Sequence, residues 1–252
     1  MITLQFRSVT ADLHAVRVRG IIAGRKVLDP ISMSDQLLPE PLPADPMPLF
    51  QQWFAEARAR RTQPNPDAMV VATATGNGDP SARVVLCKRV DVPAGYVVFF
   101  TNYQSRKGRE LTGRPRAAAV LHWDALHRQV RIEGPLLRSP ESESDEYFSS
   151  RALDSRIAAW ASAQSEPLAA RKELEQRVRE VAARYGIAPG ASSGTVPRPP
   201  HWGGYRLWVE SIELWSEGAH RVHDRAVWTR QLRRRDDHSF AADPWRSTRL
   251  NP

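Results

Sequence analysis

One cysteine in 252 residues, Cys87, excludes an internal disulfide and any cysteine-based zinc cluster. It lies in an apolar strand-like run, so a buried thiol is expected rather than a nucleophile. No apolar run is long enough to span a bilayer. The N-terminal region, with Asp12 and scattered arginines, lacks the apolar stretch of a signal peptide. A soluble, cytoplasmic protein is the expectation. Walker-type loops, G-x-S-x-G and H-E-x-x-H are all missing. Gly76-Asn-Gly-Asp-Pro-Ser81 lacks the third glycine of a dinucleotide fingerprint and precedes a strand, so it reads as a hairpin turn. His220 and His223 are three apart, which on a strand puts them on opposite faces, so no metal pair is expected.

What is present is a globular composition: 41% hydrophobic and 25% charged residues, with eight tryptophans available for packing or stacking. The net charge of +8 raises nucleic acid as a partner. The distribution argues against it, because acidic residues interrupt most basic stretches. The one tight cluster, Arg230–Arg235, is followed at once by Asp236 and Asp237. Small phosphorylated ligands use such arginines without a continuous stripe.

Residues 1–44 show weak periodicity and a proline-rich run, and read as an extended or mobile arm. Asp45 reads as an N-cap with Pro46 at the first helical position, and Leu49, Phe50, Trp53, Phe54 and Ala57 follow helical spacing. Strands are expected over 68–75, 82–88, 95–101, 117–123 and 129–133, with a short helix over 105–111. Ser139 is expected to cap a further helix, and 166–185 reads as the clearest helix, ended by Gly186. Two last strands are expected over 204–215 and 221–229. Hairpin-length links predict an α+β fold with an antiparallel barrel or sheet.

Four segments carry chemistry. Arg221, His223 and Arg225 would share one face of a strand, two cations around an imidazole. Such a row suits an anionic ligand needing proton-competent chemistry, or else a solvated edge strand. Thr101–Lys107 leaves a strand and enters a helix, where free N–H groups, Ser105, Arg106 and Lys107 could hold phosphate; a solvated helix start is the alternative. Arg83 and Lys88 bracket an apolar strand. Tyr147, Arg151 and Ser155 place a phenol, a guanidinium and a hydroxyl around a helix end, while Gln129, Gln164 and Ser165 add neutral groups that could read a heterocycle's edge.

Taken together, LPADPMPLFQQWF, AMVVATAT, RVVLCK, FFTNYQSRKGREL, RQVRIEG, YFSSRALDS, AAWASAQS, HWGGYRL and LWSEGAHRVHDR resemble the pyridoxamine 5′-phosphate oxidase family from about Pro43 to Pro252. The resemblance implies a split β-barrel FMN-binding fold over 45–252, with flanking helices, and a homodimer with FMN at the subunit interface. It implies FMN contacts from Arg83, Lys88, Phe100, Thr101, Arg106, Lys107, Gln129, Gln164, Ser165, Trp215 and Arg225. Lys88, Tyr147, Arg151 and Ser155 would hold the phosphate of a B6 vitamer, with Arg221 and His223 as catalytic residues over its ring. The implied reaction is oxidation of pyridoxamine or pyridoxine 5′-phosphate to pyridoxal 5′-phosphate, with O₂ as acceptor and release of H₂O₂. The alternatives are an FMN-dependent oxidase of a dihydrophenazine precursor and a non-catalytic flavin-binding protein. Phe100 stands where the family often has tyrosine, Arg151-Ala-Leu-Asp154 replaces Arg-Pro-Arg-Asp, and the stretch before Pro39 lacks an Arg-x-x-Tyr pattern.

Overall fold

A computed structural model describes residues 37–252. Most of the expected arm therefore lies outside the described residues. Its last residues are docked: the Leu38 N–H donates to Asp224 Oδ2 at 2.8 Å, and the Trp228 indole N–H donates to the Pro43 carbonyl at 2.8 Å.

Helix α1 (Met47–Arg60) starts one residue later than expected, with Pro46 at the cap position. Asp45 still serves the helix start, accepting the Met47 N–H at 2.9 Å. The helix buries Met47, Phe50, Trp53, Phe54 and Ala57, and Phe54 packs on Trp123 at 6.2 Å between ring centroids. Each such large apolar side chain contributes about 2 kcal/mol through burial.

Strands β1 (Ala68–Ala74) and β2 (Pro80–Leu86) form the expected hairpin, with Ala74 opposite Pro80 and Gly78 supplying the positive φ of the turn. Cys87 follows, fully buried, and burial pushes its thiol up to about 12, which fits the inert reading. Next come β3 (Arg89–Asp91), β4 (Tyr96–Asn102), α2 (Arg106–Gly113), β5 (Arg116–Trp123) and β6 (Arg128–Arg138). Helices α3 (Glu141–Ser149), α4 (Leu153–Ala161) and α5 (Arg171–Arg184) precede β7 (Trp202–Trp208), β8 (Ser211–Ser216) and β9 (Asp224–Thr229). The chain ends with β10 (Leu232–Arg234), β11 (Phe240–Ala242) and β12 (Arg246–Leu250).

The main sheet is antiparallel and runs β12-β9-β8-β6-β5-β1-β2. The long β6 turns it into a split barrel. Its first half pairs with β8, its last residues pair with β7, and β7 carries β4 and β3. Gly134 sits at this crossover: a Cβ there would come within 1.8 Å of the Trp208 carbonyl oxygen, so only glycine fits. Leu121, Val130, Ile132, Leu207, Ile212, Leu214 and Trp228 fill the interior with α1. The architecture is the expected α+β split barrel with flanking helices. Among the described residues, no helix is long and apolar enough to cross a membrane.

Several local expectations are corrected. Residues 204–215 are two strands, because the Val209 and Glu210 N–H groups leave the ladder for the Gly95 and Glu133 carbonyls. Ser139 does not cap α3; Pro140 holds that position and the Ser139 hydroxyl is buried without a partner. Helix α5 begins at Arg171 rather than 166, after a turn in which Ser165 has φ 74°. Helix α4 and strands β10–β12 have no counterpart in the sequence reading. The strand expected over 221–229 begins only at Asp224; Arg221 lies in a 3₁₀ turn, Ala219–Arg221, with φ 66°. The premise that Arg221, His223 and Arg225 alternate along one strand therefore fails, because only Arg225 is in it.

Candidate active site

The end of β4 and the start of α2 build a cationic cluster. Ser105 caps the helix by accepting the Gly108 N–H at 3.3 Å while donating to the Asn102 carbonyl at 2.7 Å. That turn leads Lys107 inward. Its buried ammonium donates to Thr101 Oγ1 at 3.0 Å, Gln164 Oε1 at 3.0 Å and Ser105 Oγ at 3.3 Å, all neutral oxygens. Burial, with Arg83 nearby, pulls Lys107 down to about 8. Arg83 donates to Thr73 Oγ1 at 2.5 Å and pairs with Glu110 at 3.3 Å, and Arg106 reaches Glu110 at 2.9 Å. Glu110 also accepts from Ser81 at 2.8 Å and from Thr73. These donors hold its carboxyl at about 2 despite burial. Arg83 and Arg106 thus share one carboxylate, with the Lys107 ammonium beside them. The net charge of +2 matches a phosphate monoester dianion.

A second group lies where α3 packs on β7, beside β4. Phe100 stacks on Tyr147 at 4.0 Å, and Lys88 Nζ sits 5.9 Å from the Tyr147 ring. A cavity of about 230 Å³ opens there, lined by Lys88, Arg89, Phe100, Tyr147 and Ser150 and by the carboxylates Glu143 and Glu146. Lys88 also pairs with Asp67 at 3.7 Å. Arg151 precedes α4, whose cap residue Ala152 offers no side-chain oxygen, so the N–H groups of the first turn lack a side-chain acceptor. Ser155 lies in that turn.

The third group faces the outside of the sheet. Arg225 is opposite Trp215, Trp215 is opposite Gln129, and Gln129 is opposite His122. Arg225 donates to Glu213 at 2.8 Å and to the Asn251 carbonyl at 2.9 Å. The His223 ring lies 4.7 Å from Trp215, and its Nδ1 accepts the Gly218 N–H at 3.2 Å. A backbone amide can only donate, so Nδ1 is the accepting nitrogen and Nε2 is the ring position left to donate. Arg221 is exposed beside it.

Register decides how these groups relate. His122 shares its face with Val120, which is opposite Val70, itself opposite Val84. Arg83 neighbours Val84 and so points to the other face. Arg83 and the Gln129–Trp215–Arg225 row thus lie on opposite sides of one sheet, five strand-to-strand steps separating β2 from β9. The structure unites Arg83, Thr101, Arg106, Lys107 and Gln164 in one cluster and Lys88, Phe100, Tyr147 and Arg151 around another. Ser165 is exposed just beyond Gln164. Sequence reasoning missed Glu110, Thr73 and Ser81. The spacing of Arg106 and Glu110, four apart on a helix, was the available signal for the first.

The comparisons with known proteins bear on this arrangement. A family profile described as pyridoxamine 5′-phosphate oxidase matches residues 55–185, and one described as pyridoxine 5′-phosphate oxidase C-terminal dimerisation region matches residues 202–252. A pyridoxine/pyridoxamine 5′-phosphate oxidase of Burkholderia vietnamiensis is 50% identical over 208 residues, 82% of this chain and 89% of the relative. One of Rhodospirillum rubrum is 50% identical over 188 residues, 73% of this chain and 90% of the relative. Among solved structures, PhzG from Burkholderia lata, in complex with tetrahydrophenazine-1-carboxylic acid, aligns with TM-score 0.71 at 32% identity, covering 84% of this chain and 95% of that one. An FMN-binding protein of Nostoc punctiforme related to pyridoxamine 5′-phosphate oxidase aligns with TM-score 0.59 at 14% identity, over 81% and 96% of the two chains, and supports the fold alone. The coverage and identity of these matches make this chain a member of the pyridoxamine 5′-phosphate oxidase family.

Proposed function

We propose that the protein oxidises pyridoxamine or pyridoxine 5′-phosphate to pyridoxal 5′-phosphate, using FMN and O₂ and releasing H₂O₂. The observation that carries this reading is two separate groups of cationic side chains on one chain. One joins Arg83, Arg106 and buried Lys107; the other joins Lys88, Tyr147 and Arg151, where the buried Nη1 of Arg151 has no partner. A cofactor phosphate and a substrate phosphate account for both.

The residues fit FMN. A buried ammonium ringed by neutral oxygens is costly unless an anion completes it. Lys107, Arg83 and Arg106 would hold the phosphate, and Thr101 and Gln164 would orient Lys107. Bound FMN would supply the hydride acceptor and the reaction with O₂. Gln129, Trp215 and Arg225 would contact the flavin from a second copy of the chain, since they face away from Arg83 within one copy. Residues 202–252, which match a dimerisation region, carry Trp215 and Arg225 and support that assembly.

Arg151, Tyr147, Lys88 and Ser155 would fix the substrate phosphate, spending remote binding energy on orientation at the reacting carbon. His223 would donate from Nε2 and Arg221 would place a cation at the ring, both suited to an anionic ring oxygen. The similarity to PhzG supports a second reading, oxidation of a reduced phenazine carboxylate. Arg151 and Lys88 favour the phosphorylated substrate. Turnover of pyridoxamine 5′-phosphate compared with pyridoxamine and with a dihydrophenazine carboxylate tests the choice. Preference for the phosphorylated vitamer supports the proposal, and turnover of the tricyclic acid alone overturns it.

A further inference from the structure

Trp202 opens β7 directly opposite Asn102 of β4, and it is buried. Two rings lie nearly parallel to its indole. Phe100 is 5.6 Å away at an interplanar angle of 10°, and Tyr147 is 6.1 Å away at 7°. Phe148 meets the indole edge-on at 5.1 Å. The guanidinium carbon of Arg151 lies 4.7 Å over the indole and 5.5 Å from the Phe148 ring.

Arg151 forms no ion pair among the described residues, and its Nη1 is buried without a hydrogen-bond partner. Burial lowers its pKa, yet a guanidinium stays charged at working pH. A cation in that position is ordinarily held by a carboxylate, as Arg206 is by Glu143 at 2.9 Å and Arg198 by Asp145 at 2.6 Å. A carboxylate would hold the guanidinium but cancel its charge toward an incoming anion. An aromatic face attracts the cation through its quadrupole and leaves the charge in place. The same indole lies parallel to Tyr147, so one side chain sets the orientation of both groups.

We propose that Trp202 is a positioning residue of the substrate-phosphate clamp, holding Arg151 and Tyr147 in place while leaving the guanidinium uncompensated for a phosphate monoester. The proposal rests on the reading that Arg151 and Tyr147 bind that phosphate. Trp202 acts through them and does not itself touch the ligand.

The test uses the FMN-loaded protein and the variants Trp202→Phe, Trp202→Leu, Arg151→Ala and the Arg151→Ala/Trp202→Leu double. Two quantities are read: KM and kcat for pyridoxamine 5′-phosphate, and the Kd of pyridoxal 5′-phosphate by equilibrium dialysis. Trp202→Leu is expected to raise KM and Kd about tenfold, with kcat within about threefold and FMN content unchanged. Trp202→Phe keeps an aromatic face and should recover most of the loss. In the Arg151→Ala background, Trp202→Leu should add less than about twofold, because its partner is already gone. If Trp202→Leu fails to fold, Trp202→Met keeps the bulk without the aromatic face and is read the same way. An equal penalty with and without Arg151, or a loss of FMN with unchanged KM and Kd, overturns the proposal. If Arg151→Ala alone leaves KM and Kd unchanged, the clamp reading itself fails, which is a separate result from a silent Trp202.

Discussion

Arg225 lies directly across the β8–β9 ladder from Trp215, and both face away from the side of the sheet that carries Arg83. If all three serve one FMN, two copies of the chain must build each site. Arg225→Ala should weaken FMN binding by about 1.5–3 kcal/mol, the scale of a charge-assisted hydrogen bond. It should also cost some stability without FMN, because Glu213 loses a partner and keeps only Arg131 at 3.1 Å. Arg83→Ala should lose FMN as well. Unfolding and refolding the two variants together should restore about a quarter of the FMN sites, since half the dimers are mixed and each carries one intact site. No recovery in the mixture would place the whole site within one chain.

If Lys107 holds the FMN phosphate, FMN binding has a pH dependence of defined sign. Its ammonium titrates near 8 in the fold against 10.5 ordinarily. Below pH 8 it is charged in both folded and unfolded states. Between 8 and 10.5 the unfolded chain binds more protons, so the stability of the FMN-free protein rises with pH over that window. A bound phosphate favours the charged form. FMN affinity should therefore fall above pH 8, by up to about tenfold per unit. Titrations from pH 7 to 10 check this, and Lys107→Met should flatten both trends. A parent affinity constant across that range contradicts the assignment.

Glu110 gives stability the same direction of pH dependence in an acidic window. Its carboxyl is held at about 2 against 4.5 ordinarily, so the stability it contributes is complete above pH 4.5 and is lost as pH falls toward 2. Glu110→Ala removes the common acceptor of Arg83, Arg106, Ser81 and Thr73 and should destabilise by roughly 3 kcal/mol. Glu110→Gln should lose the steep part of the acid unfolding curve between pH 4.5 and 2.5. Thermal melts across that range on parent and variant decide the matter. Parallel curves would show that Glu110 is not the titrating group.

His223 and Arg221 should separate ring chemistry from flavin binding. Arg221→Ala and His223→Ala should keep their FMN and lose roughly 10²-fold in kcat/KM for pyridoxamine 5′-phosphate. Loss of FMN from His223→Ala would instead make it a packing residue against Trp215, whose ring is 4.7 Å away.

The strands around Met69, Val84, Phe99 and Leu121 are legible in the sequence because alternation and a Gly-Asn-Gly-Asp turn are local signals. The cationic cluster is half legible: Ser105 as a cap and Lys107 behind it follow from a strand-to-helix transition, whereas the link from Glu110 to Thr73 and Ser81 joins three separate elements. The 221–223 segment misleads because Arg-Val-His-Asp alternates like a strand while the backbone makes a 3₁₀ turn with His220 and Arg221 at positive φ. Gly218 is packed against that turn: a Cβ there would lie 1.7 Å from the carbonyl oxygen of Val222, four residues on, a close approach that the alternating pattern does not signal. Trp202 stands within a recognisable motif, but its role depends on Tyr147 and Arg151, which lie far earlier in the chain and are brought to it only by the packing of α3 on β7.

The central claim is tested most directly by measuring H₂O₂ and pyridoxal 5′-phosphate together, in air, from FMN-loaded protein given pyridoxamine 5′-phosphate. The account predicts that both appear at equal rates, and that Arg151→Ala slows both by raising KM. No H₂O₂ from pyridoxamine or pyridoxine 5′-phosphate, by a protein that holds FMN and oxidises a dihydrophenazine carboxylate, would contradict it.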